Sequence, residues 1–194
     1  MKTQLLTSKD INTAAKIIEE GGIIAFRTET VFGIAADAYN ETAREKIFIA
    51  KNRPPEKNLV MQFPSIKHAQ KHFPGTIDKR ALAVLEHFRG ITIILNNNQG
   101  IRIPNDPIAK KVLRACKNPL VVTSANISGE TPATNWETVN DTLGGRLDAI
   151  IKSTPSRLRT PSTIVRLHQF YVEVIREGTT PSQDVIDFYD KHIV

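Results

Sequence analysis

The chain has 194 residues, 40% hydrophobic and 24% charged, which suits one domain with a sizeable core or at most two small ones. Its formal net charge is +6 and its pI about 9.5, so anionic partners such as nucleotides or RNA are favoured, although solubility alone accounts for the charge equally well. No run of 18 apolar residues occurs, Met1–Thr7 lacks the apolar core of a signal peptide, and the single cysteine, Cys116, excludes an internal disulfide or a cysteine-rich zinc site; a cytoplasmic protein without a membrane role is expected.

Thr7-Ser8-Lys9-Asp10 has the spacing of a capping box, and Ile11, Ala14, Ala15 and Ile18 follow at helical spacing until Gly21-Gly22. Ile23–Phe26 is short, apolar and β-branched, and reads as a buried strand. It runs into Arg27-Thr28-Glu29-Thr30-Val31-Phe32-Gly33, which puts two hydroxyls and a carboxylate at a strand's C-terminal end, where open α/β sheets bind ligands. The same Thr-Glu-Thr also serves as a plain turn or cap. Thr42-Ala43-Arg44-Glu45 predicts a second capping box, opening a helix that must finish before Pro54. Leu59–Phe63 reads as a strand, Ser65–His72 and Ile77–Phe88 as helices broken at Pro74-Gly75, and Ile91–Leu95 as a strand. A polar turn, Asn96–Gly100, leads to a short strand, Ile101–Ile103. Asp106-Pro107 starts a helix reaching about Cys116, and Leu120–Thr123 is a buried strand ending in the polar loop Ser124–Gly129.

Thr134-Asn135-Trp136-Glu137 predicts a third capping box, for a helix stopped by Gly144-Gly145. Ala149–Ile151 follows as a strand, Lys152–Pro161 as a basic, proline-punctuated loop, Ser162–Leu167 and Tyr171–Arg176 as a hairpin, and Thr180-Pro181 as the start of a terminal helix. Alternating helices and strands with a late hairpin predict a single α/β domain with a mixed sheet, residues 1–194, with no internal repeat and no linker.

The P-loop, Rossmann and nucleophile-elbow motifs are all missing. His68 and His72 lack the glutamate of a zincin and read as a solvated helix face, and Cys116 reads as a small core residue. Three polar clusters remain: Thr28-Glu29-Thr30; Lys51, Arg53 and Lys57; and Ser124, Asn126, Ser128 and Thr134, with Arg102 and Arg176 beside strands. Cations, hydroxyls and an amide without a metal cage suit phosphoryl or adenylyl chemistry, which rests on positioning and charge stabilisation. Lys51 and Arg53 serve equally as cations completing a helix C-terminus, and two residues apart they share no face of a regular helix.

Thr28-Glu29-Thr30-Val31-Phe32-Gly33, Ala50-Lys51-Asn52-Arg53-Pro54, Thr123–Gly129, Ser162-Thr163-Ile164-Val165 and Ile175-Arg176-Glu177-Gly178, in this order, resemble the YrdC/TsaC family of threonylcarbamoyl-AMP synthases over roughly Gly21 to Gly178. The resemblance implies an open twisted α/β sheet with flanking helices around a large basic cavity, in the short, single-domain form. It implies a nucleotidyltransferase that turns L-threonine, bicarbonate and ATP into threonylcarbamoyl-AMP and pyrophosphate for threonylcarbamoyladenosine in tRNA. Mg²⁺ is expected to arrive with ATP rather than in a protein cage, and no tightly bound cofactor is expected. Possible partners are tRNA or double-stranded RNA and downstream threonylcarbamoyl-transfer proteins.

Carried over by position, Thr30, Arg102, Ser124 and Ser162 contact threonine, with Arg102 as a fork for its carboxylate. Arg53, Lys57, Asn98, Asn126, Thr134 and Arg176 contact the nucleotide, and Lys51 and Arg53 are the catalytic cations. The chain departs from the family at Arg27, where proline is usual, at Gln62, where many members have a threonine-side histidine, at Arg89 in place of another proline, and in the short Asn96–Gly100 loop. Two other readings compete: an RNA-binding module of the same fold without adenylate chemistry, and a carbamoyl-handling domain like that of hydrogenase maturation proteins.

Overall fold

The computed structural model describes residues 2–193; Met1 and Val194, the ends of the expected single domain, lie outside the described residues. In chain order the elements are β1 (Gln4–Leu6), α1 (Ile11–Glu19), β2 (Ile24–Arg27), β3 (Phe32–Asp37), α2 (Glu41–Lys51), β4 (Val60–Gln62), α3 (Ile66–His72), α4 (Lys79–His87), β5 (Ile91–Ile94), β6 (Gly100–Arg102), α5 (Pro107–Ala115), β7 (Leu120–Ser124), α6 (Trp136–Leu143), β8 (Ala149–Ile151), β9 (Thr163–Leu167), β10 (Val172–Arg176) and α7 (Ser182–His192). Ten strands form one open mixed sheet in the order β1-β8-β2-β3-β7-β4-β6-β5-β9-β10. Among the described residues no helix is long and apolar enough to cross a membrane.

Several elements differ from expectation. β3 replaces a loop: Phe32–Asp37 pairs antiparallel with β2 and with β7, so Thr28–Val31 is a hairpin turn and not a strand-to-helix loop. β1 was not expected; it pairs parallel with β8 at the sheet's edge. The caps at Thr42 and Thr134 yield to asparagines: Asn40 Oδ1 accepts from Ala43 N at 2.9 Å and Asn135 Oδ1 from Thr138 N at 2.7 Å, so α2 starts at Glu41 and α6 at Trp136. The Thr7–Asp10 box closes a turn ahead of the helix, with Thr7 N and Oγ1 donating to Asp10 Oδ2, and α1 begins only at Ile11. Asp106 caps α5 as expected, accepting from Ile108 N and Ala109 N.

Strand side chains alternate between two faces. One face carries Ala25, Ile34, Ala36, Met61, Val121, Ile93, Ile101 and Val165 into a core closed by α2, α3, α4, α6 and α7. The opposite face carries Ile24, Phe26, Ala35, Leu120 and Val122 against α1 and α5, whose Ala14, Ile18, Ile108, Ala109, Val112 and Leu113 are buried there. Burying a side chain as fully as Phe26 contributes about 1.5–3 kcal/mol. The cover stops at β7. The register pairs Val60 with Val122, Gln62 with Leu120 and with Arg102, Thr92 with Ile164, and Ile164 with Arg176, so this face continues through β4, β6, β5, β9 and β10 with no helical layer over it. That bare half-face is where polar side chains collect.

Gly178, just after β10, sits where a Cβ would overlap the backbone of Ser162 and Thr163 and stand 2.5 Å from Pro161 O. Backbone atoms cannot yield as a flexible side chain does. Gly178→Ala is therefore expected to cost about 1–3 kcal/mol, read as a lower denaturant midpoint at unchanged slope; an unchanged midpoint would contradict the contact.

Candidate functional site

The bare half-face encloses a cavity of about 680 Å³, counting the part open to solvent. Its wall includes Gly33, Ser124, Gln62, Arg102, Thr92 and Ser162, with Arg53 and Arg176 also lining it. Gly33 faces Ser124 across the β3–β7 ladder, and a Cβ there would stand 2.7 Å from Val122 Cγ1, so the strands approach closely only because residue 33 lacks one. Among the described residues no carboxylate lines the cavity, whereas three guanidinium groups do. Their mutual field shows at Arg176, whose pKa is lowered by burial and then by Arg102 and Arg53. Burial also lowers Arg53. Such a cavity attracts anions.

The end of α2 explains how Lys51 and Arg53 separate. Asn52 takes the left-handed conformation at φ 49, with its N–H on Ile49 O and Arg53 N–H on Phe48 O, which ends the helix and turns the chain. Lys51 faces inward, buried, and donates to Ser124 O, to Asn126 O at 2.7 Å and to Asn126 Oδ1 at 3.4 Å. Arg53 faces the cavity, and its Nε and Nη2 donate to Lys57 O and Asn58 O. Lys51 therefore does not line the cavity; it staples the loop after β7 to α2. Burial, with Arg53 nearby, pushes its ammonium down to about 7, while the carbonyl oxygens favour the protonated form.

Asn126 is used internally as well. Its Oδ1 accepts from Ser124 Oγ at 2.6 Å, and its Nδ2 donates to Ile127 O and Glu130 O. Ser124, with its proton so directed, presents lone pairs to the cavity. Arg102 is buried at the wall, and its Nη2 donates to Glu29 Oε1 and to Thr30 Oγ1, both at 2.8 Å. Thr30 in turn lies 2.9 Å from Thr28 Oγ1, which donates to Val31 O. This chain of donors ends on a carbonyl. Thr30 is fully buried and acts on the cavity only through Arg102 and Thr28. Arg102 Nε, Gln62 Oε1 and Glu29 Oε2 are buried without a partner.

The structure thus brings Arg53, Arg102, Ser124, Ser162 and Arg176 together, with Thr30, Lys51 and Asn126 directly behind them. It does not bring Lys57, Asn98 or Thr134 to the wall. Lys57 is exposed, Asn98 sits at a turn with φ 62 and accepts from Arg166 Nη2, and Thr134 O accepts from Ser156 N. Thr92 was missed. The signal was available: it is the one polar residue in the strand Ile-Thr-Ile-Ile, and a lone polar side chain in an apolar strand wants a partner or a ligand.

The departures also find their places. Arg27 Nε donates to Asp106 Oδ2 at 2.9 Å and its Nη1 to Thr154, tying the 152–161 loop to the start of α5. Arg89 Nη1 donates to the carbonyls of Leu85, Glu86 and Phe88 at the end of α4. Burial pushes the Cys116 thiol up to about 12, with Glu19 and Asp37 adding to it, which disfavours the thiolate. Among the described residues no group of three or more His, Cys, Asp or Glu side chains stands where it could hold a metal ion.

Residues 16–178 match the Sua5/YciO/YrdC family, described as "Telomere recombination". A Pyrococcus abyssi protein named threonylcarbamoyl-AMP synthase is 28% identical over 189 residues, covering 90% of this chain and 56% of that protein. One of the same name from Vibrio campbellii is 30% identical over 180 residues, covering 80% of this chain and 93% of that protein. The chain spans less than two thirds of the Pyrococcus relative's length. The solved structure of P. abyssi Sua5 complexed with L-threonine superposes with a TM-score of 0.86 at 24% identity, covering all of this chain and 62% of that one.

Proposed function

The chain belongs to the Sua5/YciO/YrdC family, and from that membership we propose that it is a threonylcarbamoyl-AMP synthase working as one domain in the cytoplasm, joining L-threonine, bicarbonate and ATP and releasing pyrophosphate. The observation that carries this is the cavity: three arginines and no carboxylate, with a hydroxyl acceptor at Ser124 on one wall and hydroxyls at Thr92 and Ser162 on the other. The relatives' names and the threonine held by the P. abyssi protein support the same reading.

Threonine carbamate is dianionic and ATP brings a triphosphate, so every substrate carries negative charge into a positive cavity. Arg102, with its free Nε and its orientation fixed by Glu29 and Thr30, suits the amino-acid carboxylate. Arg53 and Arg176 suit the phosphates and the charge that builds as pyrophosphate departs. The carbamate oxygen attacks the ATP α-phosphorus, the bond to the β-phosphate oxygen breaks, and the mixed anhydride and pyrophosphate form. Mg²⁺ enters on the triphosphate, since the cavity wall supplies no carboxylate for a cage. The product serves tRNA threonylcarbamoyladenosine through downstream transfer proteins, and the net charge of +6 suits tRNA as a partner.

With ATP and Mg²⁺, pyrophosphate release is expected only when threonine and bicarbonate are both present. Serine, lacking one methyl, should run about 10–200-fold less efficiently, the range that one apolar contact discriminates. Release independent of threonine, or no release beside tight binding of duplex RNA, would replace this reading with the RNA-binding one.

A further inference from the structure

Two chains of hydrogen-bond donors start on cavity arginines, and they end differently. The first runs from Arg102 through Thr30 and Thr28 and stops on Val31 O, a closed end. The second starts at Arg176 in β10. Arg176 Nε and Nη2 donate to Ser162 O at 3.1 and 2.7 Å, and Nη2 also reaches Ser162 Oγ at 3.2 Å. Ser162 Oγ lies 2.9 Å from Thr92 Oγ1. Both hydroxyls are buried, and both residues line the cavity. The register makes this arrangement rigid. Thr92 and Arg176 both pair with Ile164, one from each side, so the three strands present these side chains to one spot.

A pair of hydroxyls holds two protons, and only one is used between them. Ser162 Oγ already accepts from a cation, which strengthens its O–H as a donor toward Thr92. The second proton, on Thr92, has no acceptor among the described residues. An unused donor aimed into a cavity that collects anions marks a position for an acceptor oxygen on the ligand.

We propose that Thr92 is a substrate-contacting residue, donating to a carboxylate or carbamate oxygen of the amino-acid substrate, with Ser162 and Arg176 setting the direction of its proton. This rests on the reading of the site as an amino-acid-activating one. It makes Ser162 the middle of a relay whose terminal contact is Thr92. It also pairs a donor on the β5 side with the acceptor Ser124 on the β7 side, and an amino acid bearing both N–H or O–H groups and anionic oxygens spans such walls.

The test compares Thr92→Val, Thr92→Ser and the wild type, with kcat and KM determined separately for L-threonine and for ATP, and threonine binding followed by calorimetry. Valine keeps the shape and removes the hydroxyl. The expected result is a fall in kcat/KM for threonine of about 10- to 100-fold in Thr92→Val, the range for a hydrogen bond to a charged group. The KM for ATP should stay within about twofold, and threonine affinity should weaken in parallel with the kinetic loss. Thr92→Ser, which restores the hydroxyl, should recover most of it. Wild-type kcat/KM for threonine in Thr92→Val would overturn the proposal. So would equal losses for threonine and ATP with no rescue by serine, which is the pattern of a structural role. A wild type that neither binds threonine nor releases pyrophosphate would remove the amino-acid reading itself, a separate failure seen before any variant is made.

Discussion

Arg102→Ala is expected to lower stability by about 3–5 kcal/mol and to abolish threonine-dependent pyrophosphate release. Arg102 and Glu29 form an ion pair at 2.8 Å with both side chains almost fully buried. Removing the guanidinium leaves a carboxylate in the interior with no counter-charge, and breaking one half of a buried pair costs in that range. For a chain of this size about 2–4 °C accompanies each kcal/mol, so the melting point should fall by roughly 6–20 °C. The double substitution Glu29→Gln with Arg102→Met removes both charges and should recover most of that loss, because a buried pair is often no better than a neutral replacement of similar volume. It should recover none of the activity, since the cavity still lacks its fork. Thermal melts and the pyrophosphate assay on the two variants separate fold from function. An active double variant would remove Arg102 from the reaction, and an Arg102→Ala protein with wild-type melting would remove it from the fold's stability.

Lys51→Met acts at one remove from the ligand. The side chain keeps its length and loses its charge, leaving Asn126 O without the N–H that held it, while Ser124 O keeps only its bond from Asn126 N at 3.2 Å. A buried carbonyl left unpaired costs about 1–3 kcal/mol. The loop that carries Ser124 then loses its tie to α2, and a misplacement of about 1 Å is enough for a hundredfold loss in turnover. Lysine to arginine should not rescue, because a planar fork cannot follow three carbonyl directions converging on one nitrogen.

The pH dependence has a definite sign. Lys51 titrates at about 7 when folded and near 10.5 when unfolded. Between those values the unfolded chain binds more protons than the folded one, so this group makes stability rise with pH across that window. Over the same window the neutral amine has one N–H fewer for the loop, so turnover should fall as pH rises past about 7. Lys51→Met should show neither trend, so both should appear in the difference between the wild type and the variant. Parallel stability-versus-pH curves for the two proteins would contradict the assignment.

The helices were legible because their apolar residues recur at helical spacing, as Ile108, Ala109, Val112 and Leu113 do in α5. β3 was not, because Phe-Gly-Ile-Ala-Ala-Asp is buried on both faces and shows neither alternation nor a β-branched run. The caps slipped because asparagine competes with threonine for the first turn, and the chain offers both two residues apart at Asn40 and Thr42 and side by side at Thr134 and Asn135. At the site, the residue types were readable and their directions were not. Lys51 and Arg53 look alike in sequence, yet the left-handed Asn52 between them sends one into the protein and the other into the cavity. Glu29 gave no sign of its partner, since Arg102 lies 73 positions away and is reached only through the strand order.

The helical cover ends at β7, so half of one sheet face is left open where a layer of protein would otherwise lie. A bound substrate completes the sandwich, and the fold's own stability then becomes a gauge of occupancy. Any ligand that binds only the folded state adds RT ln(1 + [L]/Kd), about 2.7 kcal/mol at a hundred times its dissociation constant. Two ligands seated side by side on the same bare strands also screen each other's surroundings from solvent, so each should hold the other more tightly than it is held alone. On the proposed function, the substrates would supply a removable third layer of the architecture, and a cell short of either would hold this chain in its least stable form.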